Sequence, residues 1–129
     1  MNKFSHLNIH SQYSISDGLV RLDELSSKAK DLNFESIAIT DDSNLFGFVK
    51  FYKEMRDKGI KPICGVNFNS VKDISDNSES GKLTLYAKNF EGYRNLTMLV
   101  SKSHIEGRIR SIPHLKLEWL KDLNEGLIL

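Results

Sequence analysis

Apolar and polar positions change period along this chain, and the changes mark its elements. From Phe4 to His10, Leu7 and Ile9 alternate with His6, Asn8 and His10, the period-two pattern of a strand with one apolar and one polar face. Leu22, Leu25, Ala29 and Leu32 then recur three and four residues apart, which predicts a helix burying those side chains. Ser36–Thr40 is a β-rich apolar run that opens into Asp41, Asp42, Ser43 and Asn44, all helix-capping types. Leu45, Phe48, Val49, Tyr52 and Met55 predict a second helix, with Phe48, Phe51 and Tyr52 as packing aromatics and Gly59 as its stop. Ile60–Phe68 predicts a strand, 71–81 an exposed polar loop, and Leu83–Ala87 another strand. Tyr93, Leu96, Leu99 and Val100 mark a helix, and Trp119, Leu120 and Leu123 a short one. A turn at Asn124–Gly126 leads into a last strand run, Leu127–Leu129.

Strands alternating with helices predict the α/β class with mostly parallel strands. In such sheets functional side chains collect at the C-terminal ends of the strands. His10, Asp41, Asp42 and Asn67 fall at such places, and Asp17 lies in the loop after His10. Oxygen and nitrogen donors converging there could hold Zn²⁺ or Mn²⁺ and activate water for phosphoester hydrolysis. A histidine beside a strand is more often a simple hydrogen-bonding residue, so spacing alone does not choose.

Composition narrows the classes. With 129 residues, 40% of them hydrophobic, the chain can build the core of one compact domain. A net charge of +1, from 18 basic and 17 acidic residues, argues against a strongly basic nucleic-acid module. Arg94, Lys102, Arg108 and Arg110 form a mildly basic stretch, read as a solvated helix face rather than a DNA contact. Cys64 stands alone, so no internal disulfide is expected, and it is read as a small buried residue. No apolar run approaches the roughly 18 residues of a membrane span, and the N-terminus lacks the apolar core of a signal peptide, so a cytoplasmic protein is expected. The chain ends inside an apolar run, which reads as a fragment of a longer protein.

Several motifs carry a resemblance. HLNIHSQYSISDG resembles the opening motif of the PHP family (polymerase and histidinol phosphatase), and SIAITDDSNLFGFVKFY and GIKPICGVNFN resemble the next two. The VKFY and NFEGYRNLTMLVSK wording resembles the branch found at the N-terminus of bacterial DNA polymerase III alpha subunits. The resemblance spans essentially the whole chain. It implies a (β/α) barrel, here the first half of the domain (1–129 as one incomplete domain), with a metal cluster at its strand ends. Only His10 and Asp17 match the family's ligand pattern outright. Asn8 stands in place of a histidine in H-L-H-x-H, Asp42 in place of the histidine of ITDHG, Asn67 in place of an acidic residue, and Lys82 in place of a histidine. An amide is a poor substitute for imidazole toward Zn²⁺, and a lysine opposes any cation. The resemblance therefore implies a degenerate site at His10, Asp17 and Asp42. No cofactor is expected to bind tightly, though Mg²⁺ or Mn²⁺ could bind weakly. His6 and Asp41 are read as neighbours that orient the ligands.

Lys82 could pair with Asp17 or Asp42 where the cation would sit, or point to solvent. His104 and His114 are read as surface or structural, and Gly47 and Gly65 as packing or turn glycines. The family implies a parent that extends primers on a DNA template, in which this domain either proofreads with its own metals or serves as a platform for a separate proofreading exonuclease subunit; the degenerate ligand set favours the platform. Other replicase subunits and DNA would be met through the parent, and no membrane is involved. The alternatives are a metal-dependent phosphoesterase or 3′–5′ exonuclease, and an inactive truncated product.

Overall fold

The computed structural model describes residues 4–14, 18–75, 77 and 79–129, which form an α/β fold of two compact units, Met1–Gly65 and Val66–Leu129. In the first unit the segment Phe4–His10 forms no regular strand. It is tied to β1 (Ser36–Asp42) by two backbone bonds, Ala38 N–H to the His6 carbonyl (2.9 Å) and Thr40 N–H to the Ile9 carbonyl (2.8 Å). The donors are two residues apart and the acceptors three, so this segment carries an extra residue, as at a bulge. The bulge breaks the alternation that the sequence implies between His6 and His10. The His6 ring meets Phe4 edge-on at 4.7 Å and Phe34 at 5.2 Å.

Helix α1 (Leu22–Asp31) has Asp23 and Glu24 in its first turn and Lys28 and Lys30 in its last, the charge order that the helix dipole favours. Leu22 and Ala29 are buried as predicted, whereas Leu32 is 55% exposed. The helix stops before Leu32 can turn inward, because Asn33 takes a left-handed φ of 56°. Helix α2 (Phe48–Asp57) begins three residues later than Leu45, and its buried face is Phe51 and Met55, with Phe48 packed beside them. Val49 and Tyr52, predicted to face the core, are 64% and 46% exposed. Phe48, Val49, Phe51, Tyr52 and Met55 share one broad arc of this helix, and the body of the unit covers only the Phe51 and Met55 side of it. Gly59 ends the helical stretch at φ 74°, as expected. The core joins Leu22, Ala29, Ile37, Ile39, Phe51, Met55 and Ile60. Strand β2 (Lys61–Val71) leaves this unit as β1's hydrogen-bonded neighbour.

In the second unit β3 (Gly81–Ala87) neighbours β2. Asn67 meets Thr84 and Ser70 meets Gly81, partners that run in opposite senses along the two strands, as in a hairpin. Helix α3 (Phe90–Ile105) is capped by the Asn89 side chain, which accepts from the Gly92 N–H. It buries Leu96 and Leu99 and packs on β3. Two-residue strands follow: β4 (Arg108–Ile109), β5 (Ile112–Pro113) and β6 (Leu115–Lys116), then a 3₁₀ turn over Leu117–Lys121 and β7 (Leu127–Ile128). β6 runs parallel to β2, but β7 runs antiparallel to β3, so the sheet is mixed rather than mostly parallel. The β4–β5 hairpin was not legible in the sequence. Its turn is made by Arg110 and Ser111 at positive φ, without the Asn-Gly or Asp-Gly pair that usually signals it.

Candidate functional site

Three sequence neighbours at the end of β1 do three different things. The Asp41 carboxylate is 3% exposed and accepts three hydrogen bonds. Its Oδ1 takes the Ser11 N–H at 2.6 Å and the Ser14 hydroxyl at 2.8 Å, and its Oδ2 takes the Ser11 hydroxyl at 2.6 Å. A buried charge needs such partners, and these pin the turn that follows His10. Asp42 points the other way. Its N–H donates to the Ser14 hydroxyl at 3.1 Å, and its Oδ2 lies 3.8 Å from His10 Nδ1. That distance is too long for a hydrogen bond, and the His10 and Asp42 side chains are 20% and 38% exposed.

Asn44 closes the arrangement. Buried, it donates its amide to the Tyr13 and Asp42 carbonyls at 3.0 and 3.1 Å, and its Oδ1 accepts the Phe46 N–H. Gly18 completes the turn by close approach, since a Cβ there would stand 1.7 Å from the Ser11 carbonyl oxygen. Gly47 lies under the Tyr13 ring, where a Cβ would meet it at 2.7 Å. The buried Thr40 hydroxyl donates to Asn8 Oδ1 at 2.8 Å, so the amide in the histidine's place accepts a neighbour's proton.

The structure thus brings His10 to Asp42, Asn8 to Thr40, and Asp41 to Ser11 and Ser14. His6 is held apart from this group by its aromatic contacts with Phe4 and Phe34. Asp17 lies outside the described residues. In the second unit Asn67 accepts the Thr84 hydroxyl, and Lys82 is exposed. Cys64 is buried in an apolar setting that pushes its thiol up to about 12. His114 is buried and holds the Ile112 carbonyl through Nδ1 at 2.8 Å. Among the described residues no group of three or more His, Cys, Asp or Glu side chains gathers within reach of one metal ion. Sequence reasoning missed Ser11, Ser14, Thr40 and Asn44. The only signal was a run of short polar residues on both sides of the fold, each able to bond a backbone or a carboxylate.

The fold of this chain is similar to those of solved structures. One is a candidate metal-dependent phosphoesterase from Bifidobacterium adolescentis, with a TM-score of 0.60 and 14% identity over 81% of this chain and 34% of that one. Another is an amidohydrolase from Chromobacterium violaceum, with a TM-score of 0.59 and 18% identity over 78% and 33%. The PHP domain family matches residues 6–129, and the chain belongs to that family. Within it the chain is similar to the DNA polymerase III subunit alpha of Escherichia coli K12, at 46% identity over 127 residues. It is likewise similar to that subunit from Buchnera aphidicola of Acyrthosiphon pisum, at 43% over 129 residues. Both alignments take in 98% of this chain, which spans about 11% of the length of those relatives. The resemblance read from the motifs, to the PHP domain of bacterial DNA polymerase III alpha subunits, is therefore shown. Among the described residues no helix is long and apolar enough to cross a membrane.

Proposed function

We propose that this chain is the first part of the PHP (β/α) barrel of a cytoplasmic replicative DNA polymerase alpha subunit. In this reading hydrogen bonds have replaced metal ligation, and the domain serves as a platform for the proofreading exonuclease. Primer extension, DNA binding and contacts with other replicase subunits belong to the parent protein. The observation that carries the reading is Asp41. Its oxygens are engaged by three donors from its own fold, so the carboxylate's hydrogen-bonding capacity is taken up without a cation. Asn8 and Asn67, each accepting a threonine hydroxyl, support it in the same way. If a metal did bind, His10 and Asp42 would hold it, and it would supply an activated water for phosphodiester cleavage.

The test uses the intact gene product from its own cells. Its mass should be many times 14.7 kDa. Its metal content, read by plasma mass spectrometry, should fall well short of stoichiometric. It should cleave no 3′-labelled primer by itself and should co-purify with a separate exonuclease. Stoichiometric metal together with cleavage that disappears in His10→Ala would establish the phosphoesterase or exonuclease reading instead. A native mass of 14.7 kDa would leave a truncated product.

A further inference from the structure

The mildly basic stretch of the sequence divides in the fold. Arg94 and Lys102 lie on α3, and each meets a carboxylate there: Arg94 pairs with Glu91 at 3.3 Å, and Lys102 with Glu106 at 3.6 Å. Lys102 also stands 5.0 Å over the Trp119 ring. Arg108 and Arg110 lie beyond the helix, on the β4–β5 hairpin, and both are exposed. Neither pairs with a carboxylate among the described residues. Charge around the hairpin is one-sided. From Gly107 to Leu117 there is no Asp or Glu. The acids flanking that stretch already hold other cations: Glu106 holds Lys102, and Glu118 holds Lys116 at 3.1 Å, with Asp73 on the far side of that lysine at 3.8 Å. The two guanidiniums are the surplus.

The hairpin holds them in place. Ile109, between them, is buried. The buried His114 ring holds the Ile112 carbonyl through Nδ1 at 2.8 Å, and the His114 N–H donates to the Gly107 carbonyl at 2.8 Å. Arg108 Nε donates to the His104 carbonyl in the last turn of α3 at 3.0 Å, which fixes the side chain and leaves its terminal Nη groups without a carboxylate. A pair of charges ordered on folding lowers the cost of binding an anion. The turn itself is costly. Arg110 and Ser111 sit at φ 50° and 68°, where Asn and Gly are the residues that fit with least penalty. A turn built for stability alone would carry those. A strained tip that carries an arginine and a serine instead points to a ligand there. Guanidinium forks bind phosphate oxygens bidentately, and contacts with a run of phosphates gain further from released counterions.

We propose that the tip of the β4–β5 hairpin, with Arg108, Arg110 and the Ser111 hydroxyl, is a contact for the phosphodiester backbone of DNA. DNA as the ligand rests on the polymerase reading above; the placement of an anion site does not. The experiment measures binding of a fluorescent primer–template duplex to the intact gene product by anisotropy across a salt series, with primer extension by the unaltered protein as a second readout. Arg108→Ala with Arg110→Asn is the main variant, because asparagine suits the left-handed turn. Its affinity should be about tenfold weaker, equally for any DNA sequence, with the slope of log affinity against log salt shallower by about 2. Arg110→Asn alone should make the slope shallower by about 1, at a melting temperature no lower than that of the unaltered protein. Arg108→Lys with Arg110→Lys should keep the slope, and Arg94→Ala should change neither quantity. The proposal is overturned if the main variant binds within about twofold of the unaltered protein at the same slope. It is overturned equally if the double lysine variant loses as much as the main variant, or if DNA affinity is kept while a co-purifying protein is lost, which would assign the arginines to a protein partner. A gene product that extends no primer overturns the polymerase reading instead, and arginine-dependent DNA binding would outlast it.

Discussion

Removing the Asp41 carboxylate tests the central claim about this site, that it is a structural clamp. In Asp41→Ala three donors lose their acceptor at once. The Ser11 amide is fixed in the backbone and cannot turn away, so its desolvation cost of about 1–3 kcal/mol is felt in full. The two hydroxyls can rotate, but the Ser14 hydroxyl already accepts the Asp42 N–H and has little freedom. Each charge-assisted bond contributes about 1.5–3 kcal/mol net, and partial rescue of the hydroxyls brings the total to about 3–5 kcal/mol. That is a large share of the 5–15 kcal/mol typical of a domain. Asp41→Asn keeps one carbonyl acceptor and should cost about 1–3 kcal/mol. Asp42→Ala is the control. Its partner His10 is 3.8 Å away and its side chain 38% exposed, so screening limits the loss to under about 1 kcal/mol. Urea unfolding of the three variants, followed by circular dichroism, reads these differences directly. The reasoning is refuted if Asp41→Ala costs no more than Asp42→Ala, because the carboxylate would then have an escape the geometry does not offer.

Other consequences follow from burial and close approach. The Cys64 thiol should resist a disulfide reagent at pH 8 in the folded chain and react within seconds once urea unfolds it; equal rates in both states would refute the burial argument. Folded Cys64 keeps its proton to about 12 whereas an ordinary thiol loses it near 9, so the stability this group contributes is complete below pH 9. It should decline at about 1.4 kcal/mol per pH unit above that, a slope that Cys64→Ala should remove. A Cβ at Gly92 would stand 1.9 Å from the Gly126 carbonyl oxygen, so Gly92→Ala must push the Asn124–Gly126 turn off the start of α3. It should cost more than about 2 kcal/mol, while Gly59→Ala, with open space but a φ of 74°, should cost about 1 kcal/mol. Similar melting temperatures for the two would count against the close packing.

Local chemistry made much of this protein legible in its sequence. The helices around Leu22–Ala29 and Leu96–Leu99 follow from spacing, the stop at Gly59 from the one residue that takes positive φ without penalty, and the family from motifs kept in order. These are short-range properties, set by a residue and its neighbours within a turn or two. What failed to show depended on partners distant in sequence. The alternation from His6 to His10 reads as one face, yet an extra residue in its pairing with β1 sends His6 to Phe4 and Phe34. Which part of α2's broad apolar arc is buried was settled by packing against α1 and β1, because the arc is wider than the face they cover. The direction of β7 was settled by its pairing with β3, since an apolar run carries no sign of parallel or antiparallel. Asp41 and Asp42 are the same residue type in adjacent positions; the motif assigns them different places, but nothing in the sequence names the hydrogen-bond partners of either. Strand geometry sends successive side chains to opposite faces, and only the tertiary fold places Ser11 and Ser14 before one of them and His10 before the other.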